Sequence, residues 1–225
     1  MKKPARRPRS RKRKPPAATD PSGVIAMLAR EEIRSVIAQW AHSRDNARWE
    51  MLRSLYAPGA VMQTTWCDCS ADEFVDRSIA GFGKGGTRAQ HFTGSSVIEL
   101  RGQRAVAETG IVLLLRAFVG EVQVDVSCHG RFYDLFVKAG SRWRIQKRVP
   151  IYEKDRIDPV DPSASLTLDR TRLAHYAEGY RHLAYVQSLG GATLTKGLAV
   201  PGSSEEQALY KQGAAWLKHG RRGLA

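Results

Sequence analysis

From His91 to Val149 the chain carries one strand-like run after another and no stretch with helical spacing, and this limits its fold more than any other feature. His91 to Leu100 turns at Arg101-Gly102-Gln103 into Ala105 to Leu115, which is a hairpin signal. Val122, Val124, Val126, Phe132, Leu135 and Val137 continue a long strand through Cys128. Ser141 marks a turn before Trp143, Ile145, Lys147 and Val149, which alternate as a last strand. A parallel doubly wound fold needs helices between its strands, so it is excluded.

The helical patterns come first. Ser22 can cap a helix through Ile25, Leu28, Ile33, Val36, Ile37 and Trp40. Asn46 can start a short second helix through Trp49, Leu52 and Leu55, stopped by Pro58-Gly59. Val61 to Trp66 reads as a strand. Ser70 and Glu73 then form a capping box for a helix through Phe74, Val75 and Ile79, ended by Gly81, Gly83, Gly85 and Gly86. Those glycines lack the Lys-Ser or Lys-Thr of a phosphate loop. Helices followed by an antiparallel meander predict an α+β fold: a cone-shaped curved sheet with the N-terminal helices packed on it.

After Pro150 the pattern changes. Tyr152–Arg156 and Asp158–Pro162 read as an extended linker. Asp169 can cap one helix carrying Leu173, Tyr176, Tyr180, Leu183, Ala184 and Gln187, closed by Gly190-Gly191. Ser204 to Gln207 can cap a last helix with Leu209, Ala214, Trp216 and Leu217 on its apolar side. The expected organisation is a basic tail over 1–22, a cone domain over 23–158 and a helical extension over 159–225. Tyr176, Tyr180, Leu183, Tyr185 and Trp216 are too apolar for exposed helices. The extension should cover a pocket mouth or extend a subunit contact.

The net charge of +14 is unevenly spread. Lys2, Lys3, Arg6, Arg7, Arg9, Arg11, Lys12, Arg13 and Lys14 supply nine positive charges with no acid among them, leaving +5 for the rest. This segment also holds Pro4, Pro8, Pro15 and Pro16 and has little to bury, so disorder is expected. It reads either as a solvated leader or as a charge-driven contact to nucleic acid or an anionic membrane surface. No apolar run approaches the ~20 residues that span a bilayer, so no membrane partner is expected. Three cysteines with no secretory signal point to a reduced, cytoplasmic setting. Cys67-Asp68-Cys69 with His129 match no usual zinc spacing, and no metal is expected.

Three polar residues carry the chemistry. Asp45 stands four residues before Trp49, His91 opens the first long strand, and Arg131 lies in Gly130-Arg-Phe-Tyr-Asp134. A histidine can remove a proton near neutral pH, a carboxylate can orient it and offset its charge, and a guanidinium can stabilise an anion. Taken singly, Asp45 also suits a helix cap, His91 a hydrogen-bonded core position, and Arg131 an ion pair with Asp134.

Gln39 to Pro58 resembles the second-helix region of SnoaL-like enzymes in the nuclear transport factor 2-like superfamily. Gln90-His-Phe-Thr-Gly94 is similar to the histidine strand of scytalone dehydratase. Gly130 to Asp134 with Trp143-Arg-Ile145 resembles the arginine strand of the group that includes hexachlorocyclohexane dehydrochlorinase. The likeness covers about residues 24 to 155. It implies that Asp45 and His91 are a catalytic pair and that Arg131 assists anion handling. Arg44 and Thr64 stand where scytalone dehydratase has tyrosines, and Trp40 where the dehydrochlorinase has lysine, so neither reaction is carried over.

The resemblance implies a lyase or isomerase, without cofactor, acting on a small apolar or cyclic molecule in a homo-oligomer, dimer or trimer. The other class it leaves open is a non-catalytic ligand-binding or assembly module, like the small subunits of ring-hydroxylating dioxygenases.

Overall fold

The computed structural model describes residues 21–219. The expected basic tail lies outside these residues, apart from Pro21 and Ser22. The order of elements is α1 (Pro21–Asp45), α2 (Trp49–Ser54), β1 (Tyr56–Thr64), β2 (Cys67–Ser70), α3 (Ala71–Gly81), β3 (Arg88–Arg101), β4 (Arg104–Val119), β5 (Val122–Ala139) and β6 (Arg142–Pro159). Then come α4 (Arg170–Leu173), α5 (Arg181–Leu189) and α6 (Ser204–His219). The α+β expectation holds: N-terminal helices pack on a six-stranded sheet in the order β2-β1-β6-β5-β4-β3.

β3 to β6 form the expected antiparallel meander, joined by tight turns. β1, however, runs parallel to β6. Its register shifts between Tyr56 and Val61, where Pro58-Gly59 sit. The proline therefore lies in a strand irregularity rather than ending a helix, a position where a missing amide donor is tolerated.

Local chemistry explains most boundaries. The Ser70 hydroxyl accepts from the Glu73 amide at 3.1 Å, as the capping box predicts. Asn46 does not start α2. Its side chain donates to the His42 carbonyl at 2.8 Å and so closes the end of α1. The last helix begins one residue earlier than the motif suggests, because the Ser203 hydroxyl accepts from the Glu206 amide at 3.1 Å.

Two expectations after Pro150 are corrected. The supposed linker Tyr152–Arg156 is strand, paired with β5 as part of β6. The single helix expected after Asp169 is broken into α4, a 3-10 turn at Glu178–Tyr180, and α5. Gly179 explains the break: a Cβ there would lie 2.4 Å from the Tyr152 carbonyl, so the turn is pressed directly onto β6. Contact with the sheet overrides local helix preference.

The two faces of the sheet have separate cores. On the inner face, Ile33, Ile37 and Trp40 of α1 and Phe74 of α3 pack with Phe132, Phe136 and Ile145. Full burial of each such side chain contributes ~1.5–3 kcal/mol. Farther along the same face, Leu183 and Val186 of α5 cover Leu115, Val124, Val126 and Cys128. On the outer face, Leu209 and Trp216 of α6 pack on Tyr133, Leu135, Val149 and Ile151. No helix among the described residues is long and apolar enough to cross a membrane.

Candidate functional site

Asp45 is the last residue of α1, and His91 lies near the start of β3. Asp45 Oδ2 accepts from the His91 amide at 2.6 Å, and Oδ1 meets His91 Nδ1 at 2.6 Å. The two side chains are 11% and 12% exposed. A carboxylate acceptor at Nδ1 keeps the proton on that nitrogen and leaves Nε2 able to accept another. The Trp40 ring packs edge-on against the imidazole at 5.3 Å.

His91 lines a cavity of about 760 Å³ between the two inner cores. Trp40, Trp66, Phe74 and Phe132 wall one part of it, and Leu115, Leu183 and Val186 another. The extension closes this space. Thr65 Oγ1 donates to Gln187 Oε1 at 2.5 Å, and the Thr195 amide donates to the Thr65 carbonyl at 2.9 Å. The Tyr152 hydroxyl, pushed well above the usual tyrosine range by burial, accepts from the Thr65 amide at 3.1 Å.

Arg131 is elsewhere, which corrects its expected place in the same pocket. Phe132 packs in the inner core, so its strand neighbours Arg131 and Tyr133 face outward. Arg131 binds Glu153 at 2.6 Å and Glu206 at 2.8 Å, together with Glu108 and the Tyr210 hydroxyl. Burial disfavours its charge, but the carboxylate hydrogen bonds outweigh that and raise its pKa. It ties α6 to the sheet. It does not ion-pair with Asp134.

Asp134 instead holds Arg148, a residue the sequence reading did not single out. They are cross-strand partners on β5 and β6. Arg148 Nε and Nη2 meet the two Asp134 oxygens at 2.8 and 2.7 Å, with both side chains fully buried. Burial pushes the Asp134 carboxyl up, and the guanidinium pulls it back. Arg148 lies over the Trp40 and Phe132 rings, 4.5 and 4.3 Å from their centroids, just behind the cavity wall. Its Nη1 has no hydrogen-bond partner among the described residues. Trp40 also donates to the Tyr56 hydroxyl at 2.6 Å, so the ring beside His91 is fixed from two sides. The signal for Arg148 was Asp134 itself: an acid among Phe132, Tyr133, Leu135 and Phe136 needs a buried cation.

Among the described residues, no three His, Cys, Asp or Glu side chains gather to hold a metal ion. Cys67 and Cys69, two apart on one strand, have adjacent sulfurs; Cys128 is free and buried.

A family model for a SnoaL-like domain matches residues 26–149. A PEP2-like protein of Fusarium vanettenii is 33% identical over 202 residues, covering 85% of this chain and 87% of that protein. Pea pathogenicity protein 2 of the same organism is 35% identical over 162 residues, covering 71% and 70%. Among solved structures, a type 2 hexachlorocyclohexane dehydrochlorinase aligns with a TM-score of 0.52 at 10% identity, over 66% of this chain and 99% of that one. At that identity the likeness is one of fold. With its family match spanning more than half of its length, the chain belongs to the SnoaL-like domain family and has the nuclear transport factor 2-like fold.

Proposed function

We propose that the protein is a cofactor-free lyase or isomerase in which His91 abstracts a proton from carbon. The observation that carries this reading is the Asp45–His91 pair set in the wall of an open, mostly apolar cavity. Nε2 takes the C–H proton, and Asp45 holds Nδ1–H and stabilises the resulting imidazolium. The electron pair left on carbon forms a double bond as a β-substituent departs, or delocalises into an adjacent carbonyl. The imidazolium then returns its proton to the departing oxygen or to a second carbon. A dry site makes each of these interactions stronger than it would be in water.

Arg131 has no part in this scheme. Arg148, beneath Trp40 and Phe132, is the inner guanidinium. Its pairing with Asp134 offsets most of its field, so we assign it to holding the aromatic floor beside His91.

The substrate fits the class of apolar, cyclic molecules. An assembly module would suit a cone filled by its own aromatic side chains; here they line a cavity and leave it open. The test is deuterium uptake from D2O, α to the carbonyl of cyclic ketones such as 2-tetralone and cyclohexenone, followed by NMR. Uptake by the wild type that disappears in His91→Asn and Asp45→Asn supports the reading. Uptake that survives both substitutions removes it.

A further inference from the structure

The charges around the cavity are one-sided. Its walls include Arg44, Arg77 and Lys84, and no aspartate or glutamate. Much of the remaining lining is apolar, with Trp66, Phe74, Ile111 and Leu113 among it, beside the uncharged Thr64, Thr65 and Gln187. Three cations facing apolar walls form a site for an amphipathic anion, provided their charges are not already satisfied within the protein.

They differ in that respect. Arg77 is engaged: it pairs with Glu73, and its other nitrogen reaches the Trp66 carbonyl at 3.4 Å. Lys84 is exposed on a glycine-rich turn and has no ion pair among the described residues. Arg44 is the informative one. It is partly buried, and burial lowers its pKa from the usual arginine value. Its guanidinium makes no hydrogen bond among the described residues and lies 5.8 Å from the Trp49 ring centroid. The adjacent Asp45 charge partly offsets that burial, but its oxygens hydrogen-bond His91 and not the Arg44 guanidinium.

A cation in the last turn of α1 also suits the negative end of that helix. That accounts for part of its placement, and the same side chain also lines the cavity. A bound anion would give this guanidinium paired, charge-assisted hydrogen bonds.

We propose that Arg44 is an anion-recognition residue and that the ligand of this cavity is an amphipathic acid. Its apolar body lies against Trp66, Phe74 and Ile111, and its carboxylate or ionised phenol is gripped by Arg44, with Lys84 adding attraction from the rim. This rests on the cavity being the substrate site proposed above and narrows the substrate from apolar molecules to apolar anions. The volume, about 760 Å³, is that of a site for a molecule of drug size rather than a single six-membered ring.

The experiment compares 2-naphthoate with its neutral isostere 2-naphthamide, titrated into the full-length protein and read by tryptophan fluorescence and calorimetry. The expected result is at least a tenfold tighter Kd for the naphthoate. That preference should vanish in Arg44→Gln, where naphthamide affinity is unchanged, and survive in Arg44→Lys, which keeps the charge. Circular dichroism of the variants shows that they are folded; if Arg44→Gln is not, Arg44→Met is the charge-free variant titrated in its place. Equal binding of the two probes, failure of both to bind, or a preference that persists in Arg44→Gln overturns the proposal. His91→Asn should leave the preference intact. A protein inert in D2O that still prefers naphthoate loses the chemistry and keeps the anion site; one that exchanges deuterium but ignores charge does the reverse.

Discussion

Two aspartate–histidine pairs in this molecule share almost the same hydrogen bonds and have different surroundings. Asp45 accepts from the His91 amide and Nδ1, both at 2.6 Å. Asp155 accepts from the His182 amide at 2.7 Å and its Nδ1 at 2.8 Å. Asp155 also takes the Leu183 amide at 2.8 Å, which makes it the cap of α5, and its side chain is fully buried. His91 lines the cavity, whereas His182 is not part of its walls. What separates a reactive pair from a structural one is therefore not the hydrogen bond between them. It is whether the ring faces a cavity that can hold a ligand. The His182 side chain, 24% exposed against 12% for His91, is the more open of the two but lies outside the cavity walls.

The largest effect should come from exchanging the histidines. His91→Asn is expected to slow deuterium uptake by ~10²- to 10⁴-fold, while His182→Asn should leave it within about twofold. Equal losses in the two variants would erase the distinction between the pairs.

Next in size is the stability difference between the two acids. Asp155→Ala strands two amides and a ring nitrogen at a buried helix start and should cost ~2–3 kcal/mol in urea unfolding, against ~1 kcal/mol for Asp45→Ala. A smaller loss at Asp155 would show that α5 does not depend on its cap.

Gly179→Ala tests how firmly that region is seated. The added methyl meets the Tyr152 carbonyl, so ~1–3 kcal/mol of stability should be lost. Naphthoate affinity should fall with it, since α5 supplies Leu183 and Val186 to the cavity wall. An unchanged melting temperature would mean that this approach is looser than described.

The smallest effect concerns Cys128, beside Asp155. Burial, with a smaller contribution from the Asp155 charge, pushes the thiol well above its usual range. Native protein at pH 8 should therefore react with a thiol reagent at least ~10-fold more slowly than unfolded protein, because the thiolate is the attacking species. Because the raised pKa belongs to the folded state, moderately alkaline pH favours ionisation in the unfolded chain. Reactivity at the unfolded rate would contradict the sealed environment around Asp155.

The meander and the capping box at Ser70 were legible in the sequence, because each rests on short-range spacing, whereas the pairing of Asp45 with His91, 46 residues apart, was implied by the family resemblance. The outward face of Arg131 was not legible. Strand alternation says that Arg131 and Phe132 face opposite ways, but not which way is inward when both faces are covered, and α6 covers the outer one. Arg148 was hidden for a related reason: in Gln146-Lys147-Arg148-Val149 it looks like one more solvated cation, and only its cross-strand partner Asp134 reveals it. The split between α4 and α5 depends on Gly179 meeting a backbone carbonyl 27 residues away, which no local window contains. The family likeness supplied the fold and the pair, but it could not tell the two faces of β5 apart.

The closure of the cavity by Gln187 and Thr195 over Thr65 divides responsibility along the chain. The residues that would move a proton belong to the first hundred positions, while one side of the boundary around them comes from the last fifty. Substitutions from Val186 to Ala192 can reshape that boundary while leaving Asp45 and His91 where they are. Relatives that keep the pair and differ in this stretch would then share a reaction and diverge in diet.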